Sequence, residues 1–427
     1  MTKPLRLLIA ADTFPPNVNG AATFTVNLAS GMAARGHDVH VVAPAASRRH
    51  GTWTEEYDGQ QITVHRLPSD RYYPHDWLRY VKPWRARHHM RRVLDEVQPD
   101  VIHYQSAVVL GRAAVREGAG RGIRIIGTNH LMLENMGDHT LLPNFLQNIA
   151  AKIWWHDAHK TFAETEALTT PTRRAANFLE ENGQLEGVLA ISCGLRTTDY
   201  TPRFEPKTPR SILFVGRVTG EKQIDVLMRA FQQLNNVPDL RLEIVGGGDQ
   251  KENLQKLSRE LGIDDRVLFH GYVTDQELRK IYSDATIFAI ASIAELQSIA
   301  TMEAMASGLP VVAANAMALP HLVHEGENGF LFEPGDVGGC ATALRTMLEM
   351  PREEREQFGR RGLEMVQVHD IDRTMELFER LYYGEDPVSV GKDSWNEQDH
   401  SLDDVVEPVT GALPIIRKPE SNAQDGE

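Results

Sequence analysis

The sequence predicts an α/β protein: two Rossmann-like, doubly wound domains that face each other across a cleft, followed by a disordered C-terminal tail. Short apolar runs alternate with helix-like segments in both halves of the chain, and a Pro- and Thr-rich stretch at residues 192–205 separates the two series. Such alternation is typical of parallel βαβ units. Ligands of these domains bind in the crevice beyond the carboxyl ends of the strands.

The first predicted domain covers residues 1–195. Its strand-like apolar runs are residues 5–11, 38–44, 101–104 and 123–128. Its predicted helices are residues 23–35 and 86–97. Gly36 follows the first helix and suits the left-handed conformation that commonly ends a helix. We expect this domain to contribute one wall of the cleft.

The second predicted domain covers residues 196–369 and repeats the pattern. Its predicted strands are residues 211–215, 241–245, 267–269, 286–289 and 311–313. Its predicted helices are residues 224–234, 251–261, 276–283, 298–306 and 337–350. Residues 370–384 contain an amphipathic helix that ends the folded part. Residues 385–427 are acidic, with few aromatic residues, and are predicted to be disordered.

Composition excludes several classes of protein. The chain has 427 residues, 41% of them apolar and 24% charged, which is typical of a soluble globular protein. Its two cysteines, Cys193 and Cys340, exclude a disulfide framework. The net charge is −14, and eleven acidic residues against three basic ones lie beyond residue 384, so nucleic acid is not an expected partner. No secretory signal or membrane span is predicted, and we expect a cytoplasmic protein.

Two glutamates, Glu295 and Glu303, are separated by seven residues at a predicted strand-to-helix turn. Both side chains are expected to point into the cleft. The beginning of the helix at residues 297–299 offers free backbone N–H groups and the positive end of the helix dipole, which suit a phosphate. Taken alone, the spacing is more typical of two solvated glutamates on a surface helix.

Two glycine-containing loops follow other predicted strands. In the first, Gly216 allows the backbone to turn, and Arg217 and Lys222 can converge on one diphosphate. A pair of solvated surface cations is the alternative. In the second, Gly246 begins a glycine triplet at the end of a strand, which permits either close approach to a ligand or a tight turn.

Together these motifs resemble the retaining nucleotide-sugar glycosyltransferases of the large family with the GT-B fold. The resemblance extends over residues 5–383. The segment 14–21 is similar to the family's acceptor-side loop, and Thr128-Asn129-His130 is similar to its N-domain histidine motif. Several motifs in the right order carry more weight than any one of them.

The resemblance implies that His130, Glu295, Arg217 and Lys222 are the catalytic residues. Glu295 would bind hydroxyls of the donor sugar, and Glu303 would bind the ribose. Arg217 and Lys222 would neutralise the departing diphosphate, because fixed cations lower the barrier where negative charge develops. His130 would face the sugar from the first domain.

The remaining implied donor contacts are made largely by backbone. Amides at Gln297, Ser298 and Ile299 would cap the diphosphate, and the backbone near Tyr272 and Val273 would border the base. Gly20 would lie where the acceptor-side loop approaches the phosphates. Gly216 and Gly246 would also belong to the donor-binding site.

The donor implied by the family is a UDP- or GDP-sugar, with no cofactor. Arg217 and Lys222 make a metal unnecessary, and the chain has no Asp-x-Asp metal motif. The family retains anomeric configuration by front-face attack, in which the leaving phosphate helps to deprotonate the acceptor. Where the family often has Gly-Phe-Gly, this chain has Leu296-Gln297-Ser298. That variant is similar to members that glycosylate diacylglycerol or related lipids.

Residues 70–92 combine basic and aromatic side chains, a composition that suits the surface of an anionic membrane. The residues proposed to meet the membrane are Trp77, Arg79, Lys82, Trp84, Arg85, Arg87, Arg91 and Arg92. The alternative is a solvated basic face whose aromatic side chains pack on the core. The membrane interpretation predicts a peripheral enzyme on the inner face of the membrane that glycosylates a lipid or glycolipid.

Three other functions are alternatives to this one. The same transferase chemistry could use a soluble acceptor, such as a sugar phosphate or an oligosaccharide. An NAD-dependent oxidoreductase is disfavoured because Ala11-Asp12-Thr13-Phe14 stands where a G-x-G-x-x-G fingerprint would follow the first strand. A catalytically silent interaction protein is disfavoured because the chain contains all four predicted catalytic residues.

Overall fold

An open sheet in the first half of the chain forms one side of the molecule. The computed structural model describes residues 3–17, 19–72, 75–131 and 144–394. Within them, the spatial order of the strands is β10 (Leu189–Ala190), β9 (Ala167–Thr170), β8 (Arg124–Thr128), β7 (Val101–Tyr104), β1 (Arg6–Ala10), β2 (Asp38–Pro44), β4 (Gln60–Leu67) and β3 (Gly51–Tyr57). Neighbours are parallel except β3, which is antiparallel to β4.

Helices and a short hairpin surround this sheet. The described helices are α1 (Gly20–Ala34), α2 (Pro83–Val97), α3 (Leu110–Gly118), α4 (Asn144–Ala163) and α5 (Arg173–Gly183). A separate antiparallel pair is formed by β5 (Asp70–Tyr72) and β6 (His75–Tyr80). The strands β7 and β9 are buried along their whole length, as expected of parallel strands covered by helices on both faces.

The second half of the chain forms a fully parallel six-stranded sheet. Its spatial order is β13 (Val267–Gly271), β12 (Leu240–Val245), β11 (Arg210–Val215), β14 (Ile287–Ile290), β15 (Val311–Ala314) and β16 (Gly329–Phe332). Its helices are α6 (Ile224–Gln232), α7 (Lys251–Glu260), α8 (Asp275–Asp284), α9 (Ile299–Ala306), α10 (Leu319–Leu322), α11 (Val337–Glu349) and α12 (Arg352–Val366). The prediction of two doubly wound α/β domains is confirmed.

The last two described helices return to the first domain. Helix α13 (Ile371–Tyr382) places Phe378 and Leu381 in the core that also contains Ile9, and α14 (Pro387–Ser394) follows with Val390 fully buried. The prediction of disorder from residue 385 onward is therefore wrong for residues 387–394. The segment is acidic overall, so its composition predicts disorder. The helix is nevertheless anchored to the first domain by the buried side chain of Val390. Residues 395–427 lie outside the described residues.

A buried histidine joins α13 to the first sheet. The Nδ1 atom of His103 lies 2.6 Å from the hydroxyl oxygen of Tyr382, and its Nε2 atom lies 2.7 Å from Thr128 Oγ1. Burial lowers the pKa of His103 to about 3. The folded protein therefore holds this ring neutral at a pH where the unfolded chain protonates it.

Acid should destabilise the protein through His103. Because the folded pKa is depressed, the full stabilisation is present above pH 6.5 and is lost as the pH falls toward 3. At pH 5 this residue should lower the free energy of unfolding by about 2 kcal/mol relative to pH 7.5. Urea unfolding of wild type, His103→Gln and the exposed-site control His50→Gln at both pH values tests this. A pH dependence unchanged in His103→Gln would contradict it.

Candidate active site

The predicted site lies where the strand order of the second sheet reverses. Strands β11 and β14 are neighbours, although they are far apart in sequence, and the order runs outward from them in opposite directions. The loop after β11 carries Arg217 and Lys222, and the turn after β14 carries Glu295. The backbone N–H of Ile293 donates to the carbonyl oxygen of Glu221 at 3.0 Å, which joins the two loops. Reversal points of this kind are where α/β sheets bind ligands.

Lys222 and Glu295 form an ion pair at this point. The Lys222 ammonium donates to Glu295 Oε1 at 2.6 Å, and the two side chains are 11% and 13% exposed. An ammonium group has three donors, so Lys222 can hold Glu295 and a phosphate oxygen at once. The structure therefore brings these two predicted residues together, and their action on one donor remains a prediction.

Arg217 has a carboxylate partner that the sequence prediction did not include. Its Nη2 atom lies 3.1 Å from Glu221 Oε1, while Thr219 Oγ1 donates to the same oxygen at 2.7 Å. Burial alone would raise the pKa of Glu221, but the Thr219 hydrogen bond and the charges of Arg217 and Lys222 lower it overall. Each predicted phosphate-binding cation therefore has a carboxylate beside it, and the beginning of α9 supplies the additional positive potential.

The turn before α9 has an unusual backbone. Ser298 immediately precedes the helix with φ +70°, in the left-handed region, and its hydroxyl lies 2.8 Å from Thr301 Oγ1. The first amides of a helix have no partner within the helix, so those at Ser298 and Ile299 can bind an anion. The side chain of Gln297, in contrast, is 3% exposed and binds the chain crossing between the domains. Donor binding by the Gln297 amide remains a prediction.

Glu303 lies on α9 with both carboxylate oxygens bonded. The hydroxyls of Tyr200 and Tyr282 donate to Oε1 and Oε2 at 2.9 and 2.8 Å. Burial raises the pKa of Glu303, and these hydrogen bonds oppose the shift only in part. Each oxygen retains a second lone pair, so the predicted contact with a ribose remains a prediction. Neither tyrosine was identified from the sequence.

The glycine triplet packs against protein backbone. A Cβ atom at Gly246, where φ is +123°, would lie 1.9 Å from the carbonyl oxygen of Gly216. A Cβ at Gly248 would lie 2.1 Å from the oxygen of Val218. Because a side chain at either position would collide with this backbone, glycine is required where the loop that carries Arg217 packs against the triplet. Tyr272, which is 73% exposed, lies beside Gly247. The predicted base-bordering role of Tyr272 and Val273 remains a prediction.

The first domain approaches α9 through the start of α1. Asn19 caps that helix by accepting a hydrogen bond from the Ala22 amide at 2.9 Å. A Cβ atom at Gly20 would meet Ile299 Cδ1 at 3.8 Å. Gly20 thus lies near the beginning of α9. The predicted approach of the acceptor-side loop to the phosphates remains a prediction, and residue 18 of that loop lies outside the described residues.

His130 follows β8 on the same side of the cleft. Its Nε2 atom lies 3.0 Å from Gln105 Oε1, so this nitrogen carries the proton and Nδ1 retains its lone pair. Burial lowers the pKa of His130 to about 3, which makes the ring neutral near pH 7. In the described part of the chain, Gln105 Nε2 and Asn129 Oδ1 are buried without a hydrogen-bond partner. Gln105 was not predicted, and no sequence motif marks it.

The basic segment at residues 70–92 is partly committed to contacts within the protein. Arg87 and Arg91 bind Glu117 at 2.8 and 2.9 Å, and the Glu117 side chain is 6% exposed. Further internal contacts are made by Lys82 with Asp70 and by Arg79 with Ser69. Trp84 is 71% exposed, and Arg85 and Arg92 on the same helix are also exposed, whereas the side chain of Trp77 lies outside the described residues. The predicted basic face is therefore smaller than expected.

Comparison with solved structures identifies the class of fold. Sucrose-phosphate synthase from Thermosynechococcus elongatus superimposes with a TM-score of 0.73 at 19% identity, covering 88% of this chain and 98% of that one. The two domains thus have the GT-B arrangement. The chain belongs to the glycosyltransferases: residues 18–198 match the Glycosyltransferase Family 4 model, and residues 197–365 match the model of glycosyl transferases group 1.

Curated relatives are similar over most of the folded chain. Sulfoquinovosyl transferase SQD2 of Arabidopsis thaliana is 28% identical over 65% of this chain, an alignment that spans about half of the plant protein (56%). A GDP-mannose-dependent alpha-mannosyltransferase of Corynebacterium glutamicum is 28% identical over 78% of both chains. Alpha-monoglucosyldiacylglycerol synthase of Acholeplasma laidlawii is 23% identical over 78% of this chain and 86% of its own length. None of the helices in the described part of the chain is long and apolar enough to cross a bilayer.

Proposed function

We propose that this glycosyltransferase moves a hexose, glucose or mannose, from a UDP- or GDP-sugar to a lipid or glycolipid, with retention of anomeric configuration. The observation that carries the proposal is the Lys222–Glu295 ion pair beside the first amides of α9, at the reversal point of the second sheet. This arrangement offers a cation and helix amides to a diphosphate and a carboxylate to sugar hydroxyls.

In the proposed reaction, the bond between the sugar C1 and the β-phosphate oxygen breaks while an acceptor oxygen bonds to C1 on the same face. The acceptor proton passes to the departing phosphate. Arg217, Lys222 and the amides of Ser298 and Ile299 stabilise the charge that develops on the diphosphate. Glu295 holds the donor sugar, and neutral His130 contacts it from the first domain.

The donor's remaining contacts follow from the same placement. Glu303 binds the ribose through the lone pairs left by Tyr200 and Tyr282, and the base lies along the backbone at residues 272–273. We propose that no metal takes part, because the two cations and the helix amides supply the positive charge that a metal would otherwise supply.

The lipid acceptor is supported by the name of the Acholeplasma relative, which is a diacylglycerol glycoside synthase. It is also supported by the exposed indole of Trp84 and the exposed arginines Arg85 and Arg92 on the same helix, a combination that suits an anionic membrane surface. The enzyme would then act as a peripheral protein at the cytoplasmic face of the membrane.

A soluble acceptor is the second candidate. The commitment of Arg87 and Arg91 to Glu117 favours it, because it reduces the basic face available to lipid headgroups. The transfer chemistry is the same in both cases, and the two candidates differ in where the labelled sugar is found after the reaction.

The test incubates the purified full chain with bacterial lipid extract and radiolabelled UDP-glucose, UDP-galactose or GDP-mannose, with and without EDTA. Label in the organic phase, undiminished by EDTA and reduced about 10- to 100-fold in initial rate with Glu295→Gln, is the expected result. Release of nucleotide with the label left in water would overturn the lipid acceptor. Loss of transfer in EDTA, restored by added Mg²⁺, would overturn metal independence.

A further inference from the structure

The chain crosses between the two domains twice, and the two crossings are bonded to each other. The first crossing passes through residues 192–195, and the second lies at residues 369–371. The Leu195 amide donates to the oxygen of His369 at 2.8 Å, and the Ile371 amide donates to the oxygen of Leu195 at 3.1 Å. This paired segment is the covalent link between the two domains, and we call it the crossover.

The Gln297 side chain binds the crossover with both of its polar atoms. Its Oε1 accepts from the Cys193 amide at 2.8 Å, and its Nε2 donates to Ser192 Oγ at 2.8 Å. Ser192 Oγ in turn lies 3.1 Å from His369 Nδ1, on the second crossing. Gln297 is 3% exposed. It thus contacts the first crossing directly, and it contacts the second both through the Ser192 hydroxyl and directly, with its Nε2 atom 3.5 Å from His369 Nδ1.

Gln297 also belongs to the turn that presents amides to the diphosphate in the proposed function. The next residue, Ser298, holds the left-handed conformation with φ +70°. On the other side, Thr172 Oγ1 of the first domain donates to the oxygen of Leu296 at 2.9 Å. Each residue of the segment 296–298 is thus held differently. The first domain binds the carbonyl of Leu296, the crossover binds the side chain of Gln297, and Ser298 has the left-handed backbone conformation.

We infer that Gln297 is a positioning residue that couples the diphosphate-binding turn to the interdomain crossover. The inference rests on the proposed function, because it needs the turn to bind a diphosphate. A β-phosphate held by the amides of the turn fixes the backbone that Gln297 fastens to Cys193 and Ser192. Because such coupling is reciprocal, a domain arrangement that stabilises this conformation of the turn also strengthens diphosphate binding.

The test compares affinities of nucleoside diphosphates and monophosphates by calorimetry, using UDP with UMP and GDP with GMP. Gln297→Leu keeps the approximate volume and removes both hydrogen bonds. We expect diphosphate affinity to fall about 10-fold and monophosphate affinity to change less than about 2-fold, because a monophosphate has no β-phosphate at the turn. The matched control Thr374→Val removes a 3.1 Å hydrogen bond to the Ser192 oxygen in the same crossover, and should leave the ratio unchanged.

Ser192→Ala provides a second variant should Gln297→Leu fail to fold. It removes the hydroxyl that accepts from Gln297 Nε2 and also contacts His369 Nδ1 and the Gly194 amide, and it keeps the hydrogen bond from the Cys193 amide to Gln297 Oε1. It should lower the affinity for diphosphate more than the affinity for monophosphate. In the double variant with Gln297→Leu, diphosphate affinity should be no lower than with Gln297→Leu alone. A wild type that prefers diphosphate, with the same preference in both variants, overturns the inference and leaves the proposed function standing. A wild type that binds no diphosphate overturns both.

Discussion

Replacing Lys222 with methionine is expected to lower kcat/KM for the nucleotide-sugar by about 100- to 1000-fold, the range found when one fixed donor to a developing charge is removed. The ammonium is 11% exposed and 2.6 Å from Glu295, so its position is fixed before donor binds. Its loss removes a cation from the diphosphate and leaves Glu295 to repel that group. Both effects should weaken binding of UDP or GDP as well as slow transfer.

The Lys222 prediction is checked by steady-state kinetics together with calorimetry of the free nucleotide. Lys256→Met is the matched control, because Lys256 is 74% exposed in the same domain and pairs with Glu260 at 3.7 Å. That surface pair should contribute little to stability or activity. Unchanged nucleotide affinity in Lys222→Met would remove this residue from the diphosphate site.

Substituting Glu295 with glutamine should lower kcat by about 10- to 100-fold, since hydrogen bonds from sugar hydroxyls to a charged acceptor are stronger than those to an amide. Nucleotide affinity should change less than about 3-fold, because the glutamine oxygen can still accept from Lys222 and the sugar is absent from the free nucleotide. A fall in kcat without a fall in nucleotide affinity is expected of a residue that binds the sugar. A residue that only positions Lys222 would lower both.

Transfer assays and nucleotide calorimetry on Glu295→Gln, with Glu260→Gln as the exposed control, measure both quantities. Near-normal turnover would contradict the sugar-binding role. A large parallel loss of nucleotide affinity would instead indicate that Glu295 acts mainly by positioning Lys222. A double replacement of Lys222 and Glu295 then gives their coupling, which should exceed that of the Lys256–Glu260 pair.

The sequence predicts which loops meet at the candidate site better than it predicts their surroundings, because the placement of those loops follows local rules. Strands such as β14 and β15 are continuous apolar runs that end abruptly, and loops after neighbouring parallel strands must lie together at one edge. Lys222 and Glu295 are therefore expected to be close, although 73 positions separate them. That they form an ion pair follows only once β11 and β14 are known to be neighbours in the sheet. The alternation of strands and helices along the sequence does not reveal that order.

Partners contributed by distant elements could not be predicted. Tyr200 and Tyr282 reach Glu303 from the interdomain linker and from α8, and nothing in their local sequence indicates it. Glu117 on α3 binds Arg87 and Arg91 on α2, which turns part of a predicted basic face into an internal contact. The β3–β4 hairpin was also missed, because β3 is largely exposed and lacks an apolar run.

Helix α13 has a consequence for how the protein is made. The first domain leaves the ribosome long before residues 371–382 exist, yet Phe378 and Tyr382 belong to its core and Tyr382 bonds to His103. Until residues 371–382 have been synthesised, the nascent first domain has an uncovered apolar surface where α13 will lie. Expression of residues 1–195 alone would leave that surface permanently exposed, whereas supplying α13 on a flexible tether would complete the domain.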